Sequence, residues 1–425
     1  MKIHILAICG KMTAPLAVAL KKQGHLVTGS DQEKIYPPFS TILTKAKIPI
    51  NQPYQTPDLY IVGSGFNHQN KLKNEFEQIK QSKIPYISAT EYIAKNLIKS
   101  NSILVAGSYG KSSISAMIAF LLKNTKYNPS YLFASQPLNK LPSLLFTKSN
   151  WSICEADESI NGLDTQAKFL YYPVKYLILT SAQWEHKESY PTATANFNAF
   201  KKLVQSIPKD GLLIYNNIDS STIPLIKFAK CKTIPYTTQN INHPTLFGPA
   251  FENNFAAAKT LCDYLKISTN KIQKFKGLKN RLEIVADKKK ILFIDDFAQS
   301  APRINASILA IQNKYPNRSI KIILEPHAGF LQYKKSISEL AEPLKSINNI
   351  FLTKISYTKN LDKNNRISFS YYKAIFGDKI SYLPTSIDLI NTVTSSLKSA
   401  DILVRFSSGG LEGQKAFTKI INYFK

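Results

Sequence analysis

The run G-S-Y-G-K-S-S at 107–113 carries the residue types that bind phosphate groups. An apolar run precedes it at 102–106, and an apolar helical pattern follows it at 114–122. Glycines let backbone N–H groups turn towards an anion, a helix start adds its positive end, and a lysine reaches outer phosphates. The loop is shorter than the G-x-x-x-x-G-K-[ST] pattern, because Val105 stands in place of the first glycine. The spacing therefore predicts a nucleotide phosphate loop rather than an ordinary glycine turn, with the hydroxyl of Ser112 on Mg²⁺.

A second group of polar residues ends the next apolar run, at 151–155. The string C-E-A-D-E at 154–158 sets Glu155, Asp157 and Glu158 at the end of a predicted strand. Carboxyl ends of parallel strands face the crevice where ligands bind, and a hard cation prefers carboxylate oxygens. An isolated acidic string is more often a solvated loop. Its place one strand after the phosphate loop favours a metal site.

Two weaker candidates follow later strands. His186 comes after an apolar run at 176–180, where it could ligate a second metal ion or be an ordinary surface histidine. Asp295 and Asp296 end another apolar run, where they could hold a ribose, position a phosphate or cap the following helix. Residue type and spacing leave these alternatives open.

Short apolar runs alternate with amphipathic segments along the whole chain. Strands are predicted at 3–9, 25–30, 59–62, 84–88, 102–106, 151–155, 176–180, 211–215, 290–294, 320–324, 349–352, 380–382 and 401–406. Helical patterns lie between them at 16–22, 75–83, 114–122, 197–205 and 254–265. Such alternation indicates parallel, doubly wound sheets. Because a domain typically has about 150 residues, the 425 residues predict three α/β domains in series.

The charge of the chain is strongly positive but does not indicate a nucleic-acid-binding protein. Lys and Arg number 55 against 28 Asp and Glu, a formal charge of +27. Only five of the basic residues are arginines, and none precedes Arg281. Base readout relies on bidentate arginine, and the lysines form no concentrated stripe. We therefore expect no nucleic-acid partner and interpret the excess as a solvated, lysine-rich surface.

The composition also indicates the cellular compartment in which the protein is expected. With 44% hydrophobic and 20% charged residues the chain is a folded protein rather than a disordered one. Its four cysteines are widely separated and form no C-x-x-C pair, which favours a reducing compartment without a zinc cluster. No signal-peptide pattern and no apolar stretch long enough for a membrane span occur in the sequence. A cytoplasmic protein without a membrane partner is expected.

These motifs, in this order and spacing, resemble the Mur ligase family. A narrower resemblance, to the branch of the family that adds a peptide, is carried by I-H-I-L-A-I-C-G at 3–10, V-T-G-S-D at 27–31, Y-P-P-F-S-T at 36–41 and L-E-P at 324–326. The similarity covers essentially the whole chain. It implies the α/β, three-domain Mur ligase architecture, with a Rossmann-like N-terminal domain at 1–99, a central P-loop ATPase domain at 100–279 and a C-terminal Rossmann-like domain at 280–425.

The resemblance also implies roles for individual residues. UDP-sugar binding would fall to Gly10, Ser30 and Asp31, and ATP binding to Gly107, Ser108, Gly110, Lys111, Ser112, Ser113, Asn254 and Asp296. The residues implied in catalysis are Lys111, Arg281 and His186, and those implied in magnesium binding are Ser112, Glu155 and His186. From their place in the implied fold, we expect His327, Arg405 and Ser407 to contact the peptide.

The implied reaction uses ATP and Mg²⁺ to join L-alanyl-γ-D-glutamyl-meso-diaminopimelate to UDP-N-acetylmuramic acid through an acyl phosphate, as in peptidoglycan recycling. A hinge at 279–281 would close the third domain over the nucleotide. Several positions depart from the family pattern, among them Ala7, Pro15, Tyr109, Gln183 and Ala250. Two alternatives therefore stay open: a ligase that adds L-alanine alone, and a protein that only binds UDP-muramyl ligands. A monomer or weak homodimer is expected, and carbamylation of Lys201 is left open.

Overall fold

The structure is a computed structural model that describes residues 1–33, 35, 39–184, 189–298, 300–326, 334–355, 366–407 and 411–424, the side chains of 335 and 411 excepted. Contacts divide the chain into two compact units. Unit 1 is Met1–Asn240 with Asn253–Lys276, and unit 2 is Ile241–Glu252 with Gly277–Lys425. Across the described residues, the strands form three sheets, two in unit 1 and one in unit 2.

The first sheet of unit 1 is wholly parallel, in the order β2-β1-β3-β4. Its elements are β1 (Lys2–Leu6), α1 (Thr13–Lys22), β2 (Leu26–Ser30), α2 (Phe39–Lys45), β3 (Leu59–Val62), a 3₁₀ helix (Ser64–His68), α3 (Asn70–Gln81), β4 (Tyr86–Ser88) and α4 (Ala89–Asn96). Pro15, a departure from the family pattern, lies in the first turn of α1, where a missing N–H removes no helical hydrogen bond. The helix therefore accommodates it.

The second sheet of unit 1 has the order β11-β10-β9-β5-β8-β6-β7. Its elements are β5 (Asn101–Ala106), α5 (Lys111–Leu122), β6 (Ser130–Leu132), β7 (Leu144–Leu145), β8 (Trp151–Ala156), a 3₁₀ helix (Lys168–Tyr171), β9 (Tyr176–Leu179), α6 (Ala193–Gln205), β10 (Leu212–Asn216), α7 (Ile223–Ile226), β11 (Lys232–Tyr236), α8 (Pro249–Tyr264, of which residues 249–252 belong to unit 2) and a 3₁₀ helix (Asn270–Lys274). All pairs are parallel except β6 with β7. Strand β5 therefore lies between β8 and β9, and all three end at one edge.

One hydrophobic cluster joins the two sheets of unit 1. It runs from Ile5 on β1 to Leu104 on β5 and Leu177 on β9. Polar contacts add to it, since Asn67 Nδ2 donates to the carbonyl oxygen of Gly162 at 2.7 Å. Burying apolar surface of both sheets in one core explains why the first two predicted domains form a single compact unit.

Unit 2 is built on a six-stranded sheet in the order β12-β13-β17-β14-β15-β16. Its elements are β12 (Glu283–Lys288), β13 (Ile291–Asp296), α9 (Ala301–Lys314), β14 (Ile320–Glu325), α10 (Lys334–Ser338), β15 (Asn349–Leu352), α11 (Phe369–Phe376), a 3₁₀ helix (Gly377–Lys379), β16 (Ile380–Tyr382), α12 (Ser386–Ser396), β17 (Ile402–Ser407) and α13 (Leu411–Tyr423). Only β12 runs antiparallel to its neighbour among these strands. Separate apolar clusters cover the two faces of the sheet.

The predicted fold class is confirmed: three parallel-type sheets with helices on their faces follow one another along the chain. The predicted boundaries at 99 and 279 stay predictions. Within the described ranges, no helix is both long enough and apolar enough to cross a bilayer.

Candidate active site

Two glycines shape the phosphate loop between β5 and α5. Gly107 has a φ of +125°, and a Cβ there would lie 2.3 Å from Thr180 Oγ1 and 2.6 Å from the backbone nitrogen of Ser181. Gly110 has a φ of +79°, and a Cβ there would lie 2.3 Å from Asn254 Oδ1. Residues with a side chain rarely adopt such backbone angles. Both positions therefore require glycine for the backbone angle and for the space.

The end of β9 holds the loop in shape. Thr180 Oγ1 donates to the carbonyl oxygen of Tyr109 at 2.6 Å, and Ser108 N donates to Ser181 Oγ at 2.9 Å. Ser108 Oγ donates to the carbonyl oxygen of Gln183 at 3.0 Å. Sequence reasoning missed Thr180 and Ser181, although their place at the carboxyl end of a strand beside β5 could have indicated them.

The amino end of α5 fits a phosphate group. Ile114 N donates to the carbonyl oxygen of Gly110 at 2.9 Å, so the N–H groups of Lys111, Ser112 and Ser113 have no acceptor within the helix. Gly110 is the N-cap residue, and no side chain of the described residues caps this end. Backbone donors and the positive end of the helix dipole therefore face the loop that the sequence predicted to bind phosphate.

Lys111, Ser112, Glu155 and Glu158 form what we call the phosphate-loop cluster. Lys111 Nζ donates to the carbonyl oxygen of Gly107 at 2.5 Å and to Glu158 Oε2 at 2.8 Å. Ser112 Oγ donates to Glu155 Oε2 at 2.7 Å. The structure thus brings the predicted phosphate lysine, the predicted metal serine and both glutamates of the C-E-A-D-E string together.

Only part of the predicted metal site can be placed. Ser112 Oγ and the Glu155 carboxylate are hard oxygen donors that suit Mg²⁺. In the described ranges there is no group of three or more His, Cys, Asp or Glu side chains arranged to hold a metal ion. His186, the third predicted ligand, lies outside the described residues. The two oxygens fit a cation that keeps waters and nucleotide phosphates as its other ligands.

Asp157, between the two glutamates, stabilises the turn after β8. Its Oδ2 accepts from Lys168 Nζ at 2.9 Å and from Ser159 Oγ at 2.7 Å. Burial raises the pKa of Asp157. The ammonium groups of Lys168 and Lys111 and the hydrogen bond from Ser159 lower this pKa by a larger amount, so the net shift is downward. The side chain is therefore an ionised anchor for the turn.

The predicted UDP-sugar residues lie together at the carboxyl edge of the first sheet. Asp31 Oδ2 accepts from Cys9 N at 2.7 Å, and Asp31 Oδ1 accepts from Gln32 N at 2.8 Å. Gly10 N donates to Thr13 Oγ1 at 3.0 Å. The carboxylate of Asp31 thus ties the end of β2 to the β1–α1 turn. Its contact with a UDP-sugar stays a prediction.

Ser30 belongs to a buried polar group behind this edge. Its Oγ donates to Glu75 Oε1 at 2.5 Å and lies 3.2 Å from His4 Nε2. Burial raises the pKa of Glu75, and the hydrogen bonds from His4 and Ser30 outweigh that effect and lower the pKa. The Ser30 hydroxyl therefore has protein partners in this structure, and its predicted contact with a substrate stays a prediction.

Arg281 and Asp296 lie together in unit 2. Asp296 Oδ1 accepts from Leu282 N at 3.2 Å, and Asp296 Oδ2 accepts from Ser307 Oγ at 2.5 Å. Burial raises the pKa of Asp296, although the Ser307 hydroxyl and the charge of Arg281 lower it in part. The Arg281 guanidinium lies 5.2 Å from the centre of the Phe297 ring. The roles predicted for Arg281 and Asp296 at ATP stay predictions.

Asp295, Glu325 and Arg405 form a second cluster in unit 2, which we call the arginine cluster. Arg405 Nε and Nη2 donate to Asp295 Oδ1 and Oδ2, both at 2.9 Å, and Nη1 donates to Glu325 Oε2 at 3.4 Å. The Arg405 side chain is 1% exposed, and Ser407, two residues on, is also buried. The predicted contact of Arg405 and Ser407 with a peptide stays a prediction. His327 lies outside the described residues.

Lys201, whose carbamylation the sequence leaves open, lies on α6. Its Nζ is 4.5 Å from the centre of the Phe228 ring, a cation–π contact that a charged ammonium makes.

Models of known protein families match most of this chain. The model described as the Mur ligase family, catalytic domain, matches residues 2–100, and the Mur ligase middle domain matches residues 105–285. The chain belongs to the Mur ligase family. Members of the family are ATP-dependent ligases that form C–N bonds and act on small molecules, and this Mur ligase is an enzyme of that class.

Curated and solved relatives agree with this membership. A UDP-N-acetylmuramate–L-alanyl-γ-D-glutamyl-meso-diaminopimelate ligase of Escherichia coli is 27% identical over 390 residues, which cover 83% of this chain and 84% of the relative. A murein peptide ligase of Psychrobacter arcticus is similar in structure, with a TM-score of 0.69, 21% identity and coverage of 100% and 98% of the two chains. A UDP-N-acetylmuramate–alanine ligase of Thermotoga maritima is also similar in structure, with a TM-score of 0.78, 19% identity and coverage of 100% of this chain and 99% of that one. These structural similarities establish the fold.

Proposed function

We propose that this Mur ligase joins L-alanyl-γ-D-glutamyl-meso-diaminopimelate to the lactyl carboxylate of UDP-N-acetylmuramic acid at the expense of ATP. The observation that carries the ligase chemistry is the phosphate-loop cluster, in which Lys111 and Ser112 meet Glu155 and Glu158 at the amino end of α5. The choice of a peptide as amine donor is supported by the Escherichia coli relative, which is named for that substrate. The strings Y-P-P-F-S-T at 36–41 and L-E-P at 324–326 support the same choice.

The loop would bind and orient the phosphates of ATP. Backbone N–H groups at the start of α5 and the Lys111 ammonium supply positive charge where the γ-phosphoryl group carries negative charge. Ser112 and Glu155 are the described residues that would hold Mg²⁺, which when bound would neutralise phosphate oxygens. Thr180 and Ser181 keep the loop in the shape that receives the phosphates.

The reaction then proceeds in two steps. A lactyl carboxylate oxygen attacks the γ-phosphorus, an O–P bond forms, and the bond to the β,γ-bridging oxygen breaks to release ADP. The amine of the peptide attacks the acyl carbon, a C–N bond forms, and the C–O bond breaks to release phosphate while the amine loses a proton. Bringing two anions together in the first step requires the positive charge of Lys111, because their repulsion would otherwise oppose the approach.

The test compares amine donors directly. Purified protein is incubated with UDP-N-acetylmuramic acid, ATP, Mg²⁺ and either the tripeptide or L-alanine, and phosphate release and product mass are measured. We expect phosphate release and the tripeptide product with the tripeptide, and neither with L-alanine. Product with L-alanine alone would replace the proposal with the alanine-adding ligase. Calorimetric binding of the UDP-sugar without turnover of either amine would instead assign a binding protein.

A further inference from the structure

Lys111 has an internal anionic partner, the carboxylate of Glu158. Its Nζ lies 3.1 Å from Glu158 Oε1 and 2.8 Å from Glu158 Oε2, so both carboxylate oxygens accept from one ammonium. The Lys111 side chain is 13% exposed and the Glu158 side chain 3%. Solvent therefore screens the attraction between the two charges only in part.

The backbone around Glu158 is fixed by hydrogen bonds. The carbonyl oxygen of Asp157 accepts from Phe169 N at 3.1 Å, and that of Ser159 accepts from Lys168 N at 2.9 Å. The carbonyl oxygen of Glu158 itself accepts from the hydroxyl of Tyr190. These bonds hold the backbone of Glu158 in place. Lys111, with a flexible four-carbon stem and the greater exposure, is the member of the pair that can move.

We infer that Glu158 is a positioning residue that competes with nucleotide phosphates for the ammonium of Lys111. This inference rests on the proposed ATP-binding role of the loop. Phosphates in the loop need the Lys111 charge that Glu158 neutralises, and they meet the fixed negative charge of Glu158 as well. Competition weakens nucleotide binding and offers Lys111 an alternative partner when ADP leaves, which promotes product release.

The test removes the charge and keeps the shape, with Glu158→Gln. The dissociation constant of ADP is measured by calorimetry in EDTA, so that no metal contributes, and ATP is measured in the same way. We expect Glu158→Gln to bind both about tenfold more tightly than the wild type. A merely structural role for Glu158 predicts the opposite sign, because disturbing the loop weakens binding.

Two control variants separate this effect from general charge. Asp210→Asn also removes one negative charge from unit 1, at an exposed carboxylate that pairs with Lys175 rather than with the loop, and should leave the dissociation constant unchanged. Glu158→Asp keeps the charge and should stay within about threefold of the wild type. If Glu158→Gln does not fold, as judged by circular dichroism, Glu158→Met takes its place, because it fills a similar volume without charge.

The outcomes distinguish this inference from the proposed function. Unchanged or weaker nucleotide binding in Glu158→Gln, with a wild type that binds ADP, overturns the competition and leaves the ligase assignment intact. A wild type that binds neither ADP nor ATP, with or without Mg²⁺, overturns the proposed function and this inference together. Tighter binding in Asp210→Asn as well would assign the effect to net charge and would also overturn the competition.

Discussion

Lys111 and Arg405 each lie at the carboxyl edge of a mostly parallel sheet and pair with at least one carboxylate from a neighbouring strand or its end. Lys111 in the phosphate-loop cluster pairs with Glu158, and Arg405 in the arginine cluster pairs with Asp295 and Glu325. The Lys111 side chain keeps 13% of its surface exposed, whereas Arg405 keeps 1%. The first cation therefore keeps access to solvent, whereas the second is almost fully enclosed.

The two clusters also differ in how firmly the cation is held. The guanidinium of Arg405 makes a bidentate pair with Asp295, and the Phe417 ring lies 5.6 Å from its central carbon. A planar fork matched to a carboxylate has one favoured geometry, whereas an ammonium on a flexible stem has many. We therefore expect the ion pair of Lys111 to have a role in ligand binding and that of Arg405 to have a structural one. Side-chain type and access make the difference.

Lys111→Ala tests the binding side of this comparison and should have the largest effect. Loss of the ammonium removes charge stabilisation from the transferring phosphoryl group, so we expect ligation to fall by about 10³- to 10⁵-fold, or ~4–7 kcal/mol. Phosphate release under saturating substrates is the measurement. Lys123→Ala, an exposed lysine at the other end of α5, is the matched control and should keep wild-type turnover.

The same substitution leaves Glu158 buried without Lys111, so stability must be followed as well. Adding Glu158→Gln to Lys111→Ala should restore the thermal midpoint but not the activity. Wild-type turnover in Lys111→Ala alone would show that the phosphate loop has no part in the reaction. The proposed difference between the phosphate-loop cluster and the arginine cluster would then be wrong.

Arg405→Met tests the structural side. It leaves the carboxylates of Asp295 and Glu325 buried without their cation, which should lower the free energy of unfolding by about 3–5 kcal/mol in urea denaturation. Adding Asp295→Asn should recover part of the loss, because one of the two unpaired charges is then removed. Lys415→Met, at a surface pair with Glu412, is the control and should leave the midpoint unchanged. A stable Arg405→Met variant that loses only peptide affinity would instead make Arg405 a substrate residue.

The apolar strands could be predicted closely from the sequence because burial on both faces leaves a continuous hydrophobic run. The predicted bounds 59–62, 349–352 and 380–382 match β3, β15 and β16. Strands β6, β7, β11 and β12 were not predicted; β6 and β7 are very short. The sequences of the edge strands β11 and β12, K-T-I-P-Y and E-I-V-A-D-K, carry proline or charge, which an edge strand tolerates and a central strand does not.

The site was predictable only where its residues are close in sequence. Loop spacing at 107–113 identified the phosphate loop, and the string at 154–158 identified a carboxylate beside it. The sequence could not show which carboxylate of the C-E-A-D-E string pairs with Lys111, because the pairing depends on the turn after β8 that Lys168 and Tyr190 stabilise. The ion pair of Arg405 with Asp295 could not be predicted either, because Asp295 lies 110 positions away in sequence and strand pairing brings it beside Arg405.

Gly107→Ala gives the smallest of these effects and asks whether the shape of the loop, besides its charges, separates the two clusters. A methyl group at Gly107 would meet backbone atoms of Ser181 at 2.6 Å, and an alanine would be strained at a φ of +125°. We therefore expect the free energy of unfolding to fall by about 2–3 kcal/mol and nucleotide binding to be lost. Gly24→Ala is the matched control, since Gly24 has a φ of +91° with nothing within 4 Å, and should lose about 1 kcal/mol and keep nucleotide affinity. Equal losses of stability, with binding retained in both, would mean that Lys111 reaches phosphate without a shaped loop, and that access alone distinguishes the two clusters.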